Sequence, residues 1–186
     1  MELSDRGQAM VQELYDREQI RQLMYRYARG VDRGDFELLK SAFLPEGTDK
    51  HGHFDGPAAD FARGVVDRGD AARLVGDHHI TNMIIEIDGD RAFVETYFLA
   101  LHPHLDNPGE VQMGVLSGRY IDRLERRDGS WGILRRQVIS DFTRADVFGP
   151  PWLRTTAEYG GFLKGLRGQG DPSYAHFESM NPADGD

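Results

Sequence analysis

The strongest constraint on this chain is a pattern that occurs twice in its second half: a long β-like segment, an Asp-Gly turn and another β-like segment. Ile80 to Ile87 and Arg91 to Leu101 flank Asp88-Gly89-Asp90, and Val111 to Arg126 and Trp131 to Thr143 flank Arg127-Asp128-Gly129-Ser130. Asp-Gly readily takes the positive φ angles of tight hairpins, so each pattern predicts an antiparallel strand pair. The first half is spaced differently. From Ile20, the apolar residues Leu23, Met24, Tyr27, Ala28 and Val31 form the stripe of an amphipathic helix. Gly34 stops it, and Asp35 stands where an N-cap belongs before a short helix from Phe36 to Phe43. Thr48 to Gly56 reads as a weak edge strand. Gly56-Pro57 opens a third helix with Phe61, Val65 and Val66 on its apolar side, ending near Asp67-Arg68-Gly69. Helices followed by an antiparallel sheet define an α+β fold.

The 186 residues suit one core. A compact domain is expected over 1–144, and a Gly- and Pro-rich tail over 145–186 with one short helix near Thr155 to Leu166. Phe148, Trp152, Tyr159 and Phe162 are too many aromatic rings for a solvated tail, so it should pack on this subunit or on a neighbour. A net charge of −9 argues against nucleic acid and anionic membrane surfaces as partners. No apolar run approaches the roughly 18 residues of a membrane span, and Met1 to Arg6 does not read as a secretory signal, so the expected location is cytoplasmic. The absence of cysteine excludes disulfides, thiolate metal sites and a cysteine nucleophile. Neither a nucleotide-binding glycine fingerprint nor a G-x-S-x-G elbow occurs.

What remains is histidine, carboxylate, tyrosine and arginine chemistry. Asp32 lies one residue past Val31, at the edge of the buried helical stripe, whereas capping explains Asp35 fully. His78 and His79 are adjacent at the mouth of the first long strand, so they point to opposite sheet faces and one of them can meet a cavity. A histidine beside a buried carboxylate is oriented and made more basic. Arg136 alternates with Leu134, Val138, Ser140 and Phe142, and inside such a row it needs an anion or a wet cavity. Arg135 shares the other face with Trp131, Ile133, Gln137 and Ile139, and alternation does not say which face is inside. His51 with His53, and His102 with His104, are spaced to share strand faces; without a fixed acidic third ligand they read as solvated polar residues, and no metal is assigned.

From about Asp16 to Arg144 the chain resembles the SnoaL-like branch of the nuclear transport factor 2-like superfamily. The resemblance is carried by Tyr25-Arg26-Tyr27-Ala28-Arg29-Gly30-Val31-Asp32-Arg33-Gly34-Asp35, by His78-His79-Ile80-Thr81-Asn82, and by Gly118-Arg119-Tyr120-Ile121-Asp122 continuing to Trp131. It implies a conical barrel of strongly curved antiparallel sheet wrapped around N-terminal helices. In the hexachlorocyclohexane dehydrochlorinase, scytalone dehydratase and bile-acid 7α-dehydratase types, an Asp-His pair does the chemistry. Their aspartate falls on Asp32, the dehydrochlorinase histidine on His78 and its pocket arginine on Arg136; His79 competes if the register slips by one. Tyr27 stands where the dehydratases carry tyrosine and the dehydrochlorinase lysine, which favours a substrate oxygen over a halide.

The same register directs Phe98, Ala100, His102, Leu116, Gly118 and Tyr120 toward the pocket, with Val138 and His79 completing the expected substrate contacts. The resemblance thus implies a cofactor-free lyase acting on a small hydrophobic or aromatic hydroxylated molecule, with dehydration as the first choice. A deformylating carbon-carbon lyase on lignin-derived aromatic diols, an isomerase and a polyketide cyclase use compatible groups. A non-catalytic ligand-binding module and the small subunit of a ring-hydroxylating dioxygenase are the other classes this fold serves. A homodimer or homotrimer is expected.

Overall fold

The computed structural model describes residues 3–72, 75–107, 110–147 and 166–174. Its order is α1 (Asp5–Arg33), α2 (Phe36–Lys40), β1 (Phe43–His51), β2 (Phe54–Pro57), α3 (Ala58–Ala72), β3 (Asp77–Asp88), β4 (Arg91–Asn107), β5 (Glu110–Arg127) and β6 (Ser130–Val147). Helix α1 begins well before the apolar stripe. Ser4 caps it by accepting from the Gly7 N–H, and Asp16 is its first buried residue. The stripe therefore marks the packed length of α1, and the turns before it stand in solvent. Gly34, at φ 65°, ends the helix in the left-handed conformation that glycine adopts without strain. Asp35 accepts from the Leu38 N–H at 3.0 Å and starts α2.

Three boundaries differ from the sequence expectation. Phe43 is not helical but pairs with Ile133 as the first residue of β1. The segment read as one edge strand is a hairpin, with Gly52 at φ 61° in its turn, so His51 and His53 do not share a strand. Pro57 closes β2 rather than opening α3, and α3 continues to Ala72. The expected helix over 155–166 and the rings of Phe148, Trp152, Tyr159 and Phe162 lie outside the described residues.

The six strands lie in the order β2-β1-β6-β5-β4-β3. Strands β3 to β6 form the antiparallel meander that the two Asp-Gly turns predict, while β1 joins β6 in parallel. The sheet is therefore mixed rather than wholly antiparallel, and β2 and β3 are its edges. Parallel neighbours need a long crossover, which here is everything between β1 and β6. Bulges interrupt β3 between Ile80 and Met83, and the β5–β6 pairing at Ser117/Gly118 and Arg123/Leu124. Such insertions bend strands and raise their twist, which lets one sheet wrap the helices.

The bulge beside Arg123 explains why alternation left the inner face of β6 open. Leu124 pairs with Ile133 and Arg123 with Arg135, which leaves Leu134 unpaired. The strand changes phase across Leu134, so Trp131 and Ile133 before it and Arg136 after it are all buried. They join a core built from Ile20, Leu23, Met24 and Tyr27 of α1, Leu39 of α2, Phe61 of α3 and the inner sheet face.

Arg136 is fully buried and bound by two hydrogen bonds to Asp122, from Nε at 2.8 Å and from Nη2 at 2.6 Å. Its guanidinium carbon lies 4.0 Å from the ring centres of both Tyr27 and Tyr120. Burial pushes the Asp122 carboxyl upward, and the bonded guanidinium pulls it back. A buried pair of this kind is held by its geometry, and removing one partner strands the other charge.

Two stability outcomes follow. Asp122→Ala should cost about 3–5 kcal/mol by leaving Arg136 uncompensated. Gly118→Ala should cost about 1–3 kcal/mol, because a Cβ there would overlap the Ile139 carbonyl oxygen and come within 3.0 Å of the Phe98 ring. Chemical denaturation of each variant against the parent measures both.

Candidate active site

Where the C-terminal end of α1 meets the start of β3, the two chemical groups singled out in the sequence come together. Asp32 is 6% exposed in the last turn of α1, and its Oδ1 lies 2.6 Å from Nδ1 of His78. Its other oxygen accepts the backbone N–H of His78 at 3.0 Å. One carboxylate thus holds both the main chain and the ring of the same residue. With Nδ1 engaged by an acceptor, the ring carries its proton there and Nε2 keeps a lone pair. His79 points the other way: its side chain is 52% exposed and sits 3.3 Å from Asp77. The carboxylate partner therefore belongs to His78, and His79 is not among the residues around the cavity.

A cavity of about 580 Å³ adjoins this pair, between α1, α3, the β1–β2 hairpin and the first turns of β3. Tyr27, Asp32, His51, Phe61, His78 and His102 line it, with Val31, Phe54 and Val65 adding apolar wall. His102 meets His78 edge-on, ring centres 4.9 Å apart. Arg167 also borders the cavity, and its guanidinium donates to the carbonyls of Val31 and Val66, tying α1 to α3. It is carried by the described C-terminal segment, which packs on this subunit: Arg29 donates to Ser173, and the Tyr174 hydroxyl donates to Asp35 at 2.7 Å.

Several expected contacts are placed elsewhere. Arg136, expected to hold a substrate anion, is 0% exposed and committed to Asp122, so its anionic partner is internal. Phe98, Ala100 and Tyr120 are buried core residues, Leu116 and Val138 pack against that core, and Gly118 abuts Phe98. None of these six borders the cavity, which opens toward the helices and strand ends rather than over the sheet centre. Tyr27 does reach the wall although it is only 1% exposed, and burial pushes its phenol well above the ordinary value, with Asp49 adding to the effect and Arg136 opposing it. It suits a hydrogen-bond donor better than a ready proton source. Among the described residues, no group of three metal-ligating side chains is placed to hold an ion.

The sequence reading missed His51, Phe61 and Arg167 as cavity residues. His51 was weighed only as half of a metal pair. Phe61 reads as helix core, which it also is, for it belongs both to the core cluster and to the cavity wall. Arg167 lies in the tail, where no pattern announces a return to α1.

Known proteins bear this geometry out at the level of the fold. Solved structures align across most of their own length: a scytalone dehydratase-like protein from Novosphingobium aromaticivorans at 21% identity, covering 76% of this chain and 97% of the other, with a TM-score of 0.64. The type 3 LinA hexachlorocyclohexane dehydrochlorinase from Novosphingobium barchaimii aligns at 23% identity over 76% and 99%, TM-score 0.64, and the Kfla4162 protein from Kribbella flavida at 21% over 71% and 95%, TM-score 0.62. No curated protein matches the sequence. The SnoaL-like domain model matches residues 12–137, which runs from within α1 into the first half of β6 and takes in every cavity residue named above except Arg167, and the chain belongs to that family.

Proposed function

We propose that the chain is a cofactor-independent lyase that eliminates water from a small hydrophobic or aromatic hydroxylated substrate, with His78 as the base. The observation that carries this reading is the double acceptance by Asp32, which holds the His78 ring with Nε2 as its remaining nitrogen beside a cavity. Such a ring takes a proton from carbon, and Asp32 stabilises the imidazolium that results. The cavity has the volume of a small-molecule site, and its wall combines the apolar and aromatic side chains of Val31, Phe54, Phe61 and Val65 with ionisable groups that include four histidines, Asp32, Asp60, Arg68 and Arg167. A substrate whose carbon acid lies next to a carbonyl, and whose hydroxyl lies one carbon further on, suits these groups. Tyr27 donates a hydrogen bond to the enolising oxygen, where negative charge develops. Proton transfers alone complete the reaction.

A direct test uses 4-hydroxy-4-phenylbutan-2-one, whose dehydration product absorbs strongly in the ultraviolet. His78→Ala and Asp32→Asn should lower kcat/KM by about 100-fold or more, with circular dichroism unchanged. Tyr27→Phe should lower it by a smaller factor. Turnover that survives His78→Ala would refute the assignment, and tight binding without turnover by the parent protein would make the chain a ligand-binding module.

A further inference from the structure

Across the cavity from His78, a second histidine and carboxylate stand together, and the mechanism above leaves both unused. Asp49 and His51 are two residues apart on β1, so their side chains leave the same face of the strand. Asp49 is fully buried, and neither of its carboxyl oxygens has a hydrogen-bond partner. Nδ1 of His51 is buried and unpartnered as well, and lies 3.8 Å from Asp49 Oδ1. The His51 ring is stacked on Phe61, centres 4.8 Å apart, and its open edge faces the cavity.

Charge balance says which form of Asp49 this arrangement tolerates. Arg136 stands between two carboxyl groups in the sheet, directly opposite Asp122 on β5 and Asp49 on β1. Asp122 takes two hydrogen bonds and neutralises the guanidinium, so an ionised Asp49 would be a surplus buried anion that receives no hydrogen bond, even from the unpartnered Nη1 of Arg136. As a carboxylic acid it needs only an acceptor for its hydroxyl, and His51 Nδ1 is the nearby unoccupied one. The titration of both groups agrees. Burial lifts Asp49 to about 7, with Arg136 opposing and Asp122 adding to the rise. Burial lowers His51 to about 4, helped by Arg136, His78, His102 and Arg68.

We infer that His51 is the proton donor to the departing oxygen and that Asp49 is a positioning residue that resupplies its proton through Nδ1. The inference rests on the lyase reading for its reaction. His78 Nε2 takes the proton from carbon, and the C–H electron pair becomes the new double bond by way of the enolate. The C–O bond breaks with its pair on oxygen, which takes the Nε2 proton of His51 and leaves as water. The Asp49 hydroxyl proton passes to His51 Nδ1. Turnover ends with an imidazolium at His78, a carboxylate at Asp49 and the His51 proton on Nδ1; His78 returns its proton to solvent, while His51 regains one from solvent on Nε2 and passes its Nδ1 proton back to Asp49.

The first arm of the test needs no substrate. Histidine side-chain 15N spectra of the parent protein should show His51 neutral from pH 5 to 8, with its proton on Nε2. Protonated Asp49 is favoured by folding, so its contribution is full below about 4 and is lost as pH rises through about 7. The melting-temperature advantage of Asp49→Asn over the parent should therefore widen between pH 4 and 7 and then level. A His51 ring protonated at pH 6, a proton on Nδ1, or an advantage flat with pH overturns the pair.

The second arm uses 4-hydroxy-4-phenylbutan-2-one. His51→Phe, which keeps the stack on Phe61, and Asp49→Asn should each lower kcat about 100-fold with KM little changed. The parent rate should fall above about pH 7 as Asp49 loses its proton, and that fall should vanish in Asp49→Asn. Turnover that survives both substitutions overturns this inference alone, whereas no turnover by the parent overturns the lyase reading together with it.

Discussion

Burying Arg136 takes a permanent cation out of water, and the interior can accept it only if a carboxylate comes with it in good geometry. Asp122 supplies that carboxylate from the neighbouring strand, while Tyr27 and Tyr120, themselves edge-to-face, bring their rings onto adjoining sides of the guanidinium and the Met24 sulfur lies 3.0 Å from Nη2. The pair therefore joins β5 and β6 to α1 through contacts that demand direction as well as proximity. Apolar packing alone is tolerant of small slides. A bidentate guanidinium set against two rings is not, so it fixes the rotation of α1 against the sheet.

That rotation decides what the last turn of α1 presents. Tyr27 faces the guanidinium, and Asp32, five residues on, is delivered to the start of β3. The electrostatics of the floor are then inherited by the site. A neutralised cation leaves room for a neutral acid and base nearby, and burial raises Asp49 and lowers His51 in the same neighbourhood. Structural and chemical groups are thus one network rather than a core with a site placed upon it.

Much of this was legible in the residues, for local reasons. The hairpins follow from Asp-Gly turns, the helix stop from Gly34 and the cap from Asp35, each a decision made within a few residues. The pairing of Asp32 with His78 was legible because resemblance placed two distant residues together. What could not be read depends on contacts across the chain. The parallel seating of β1 on β6 is invisible to periodicity, and the phase change at Leu134 is set by a mismatch with β5 rather than by anything in β6 itself. The sequence shows that Arg136 needs an anion, but the partner lies on another strand, so the place that a substrate is expected to take is filled by Asp122. His102 apart, the expected pocket contacts on β4 and β5 lie away from the cavity for a similar reason: inward-facing residues at the sheet centre are covered by α1, and the cavity opens beyond its end.

The parallel seating of β1 on β6 also governs when the site can exist during synthesis. Lys50 lies opposite Gln137, so the wall that carries Asp49 and His51 has no neighbour on that side until the final strand has left the ribosome. Arg167, which ties α1 to α3, emerges later still. A nascent chain holding α1 through β5 already contains Asp32 and His78 but lacks the strand that braces the opposite wall. The cavity is therefore completed only once β6 has been made, and a chain interrupted before it carries Asp32 and His78 without an enclosure around them.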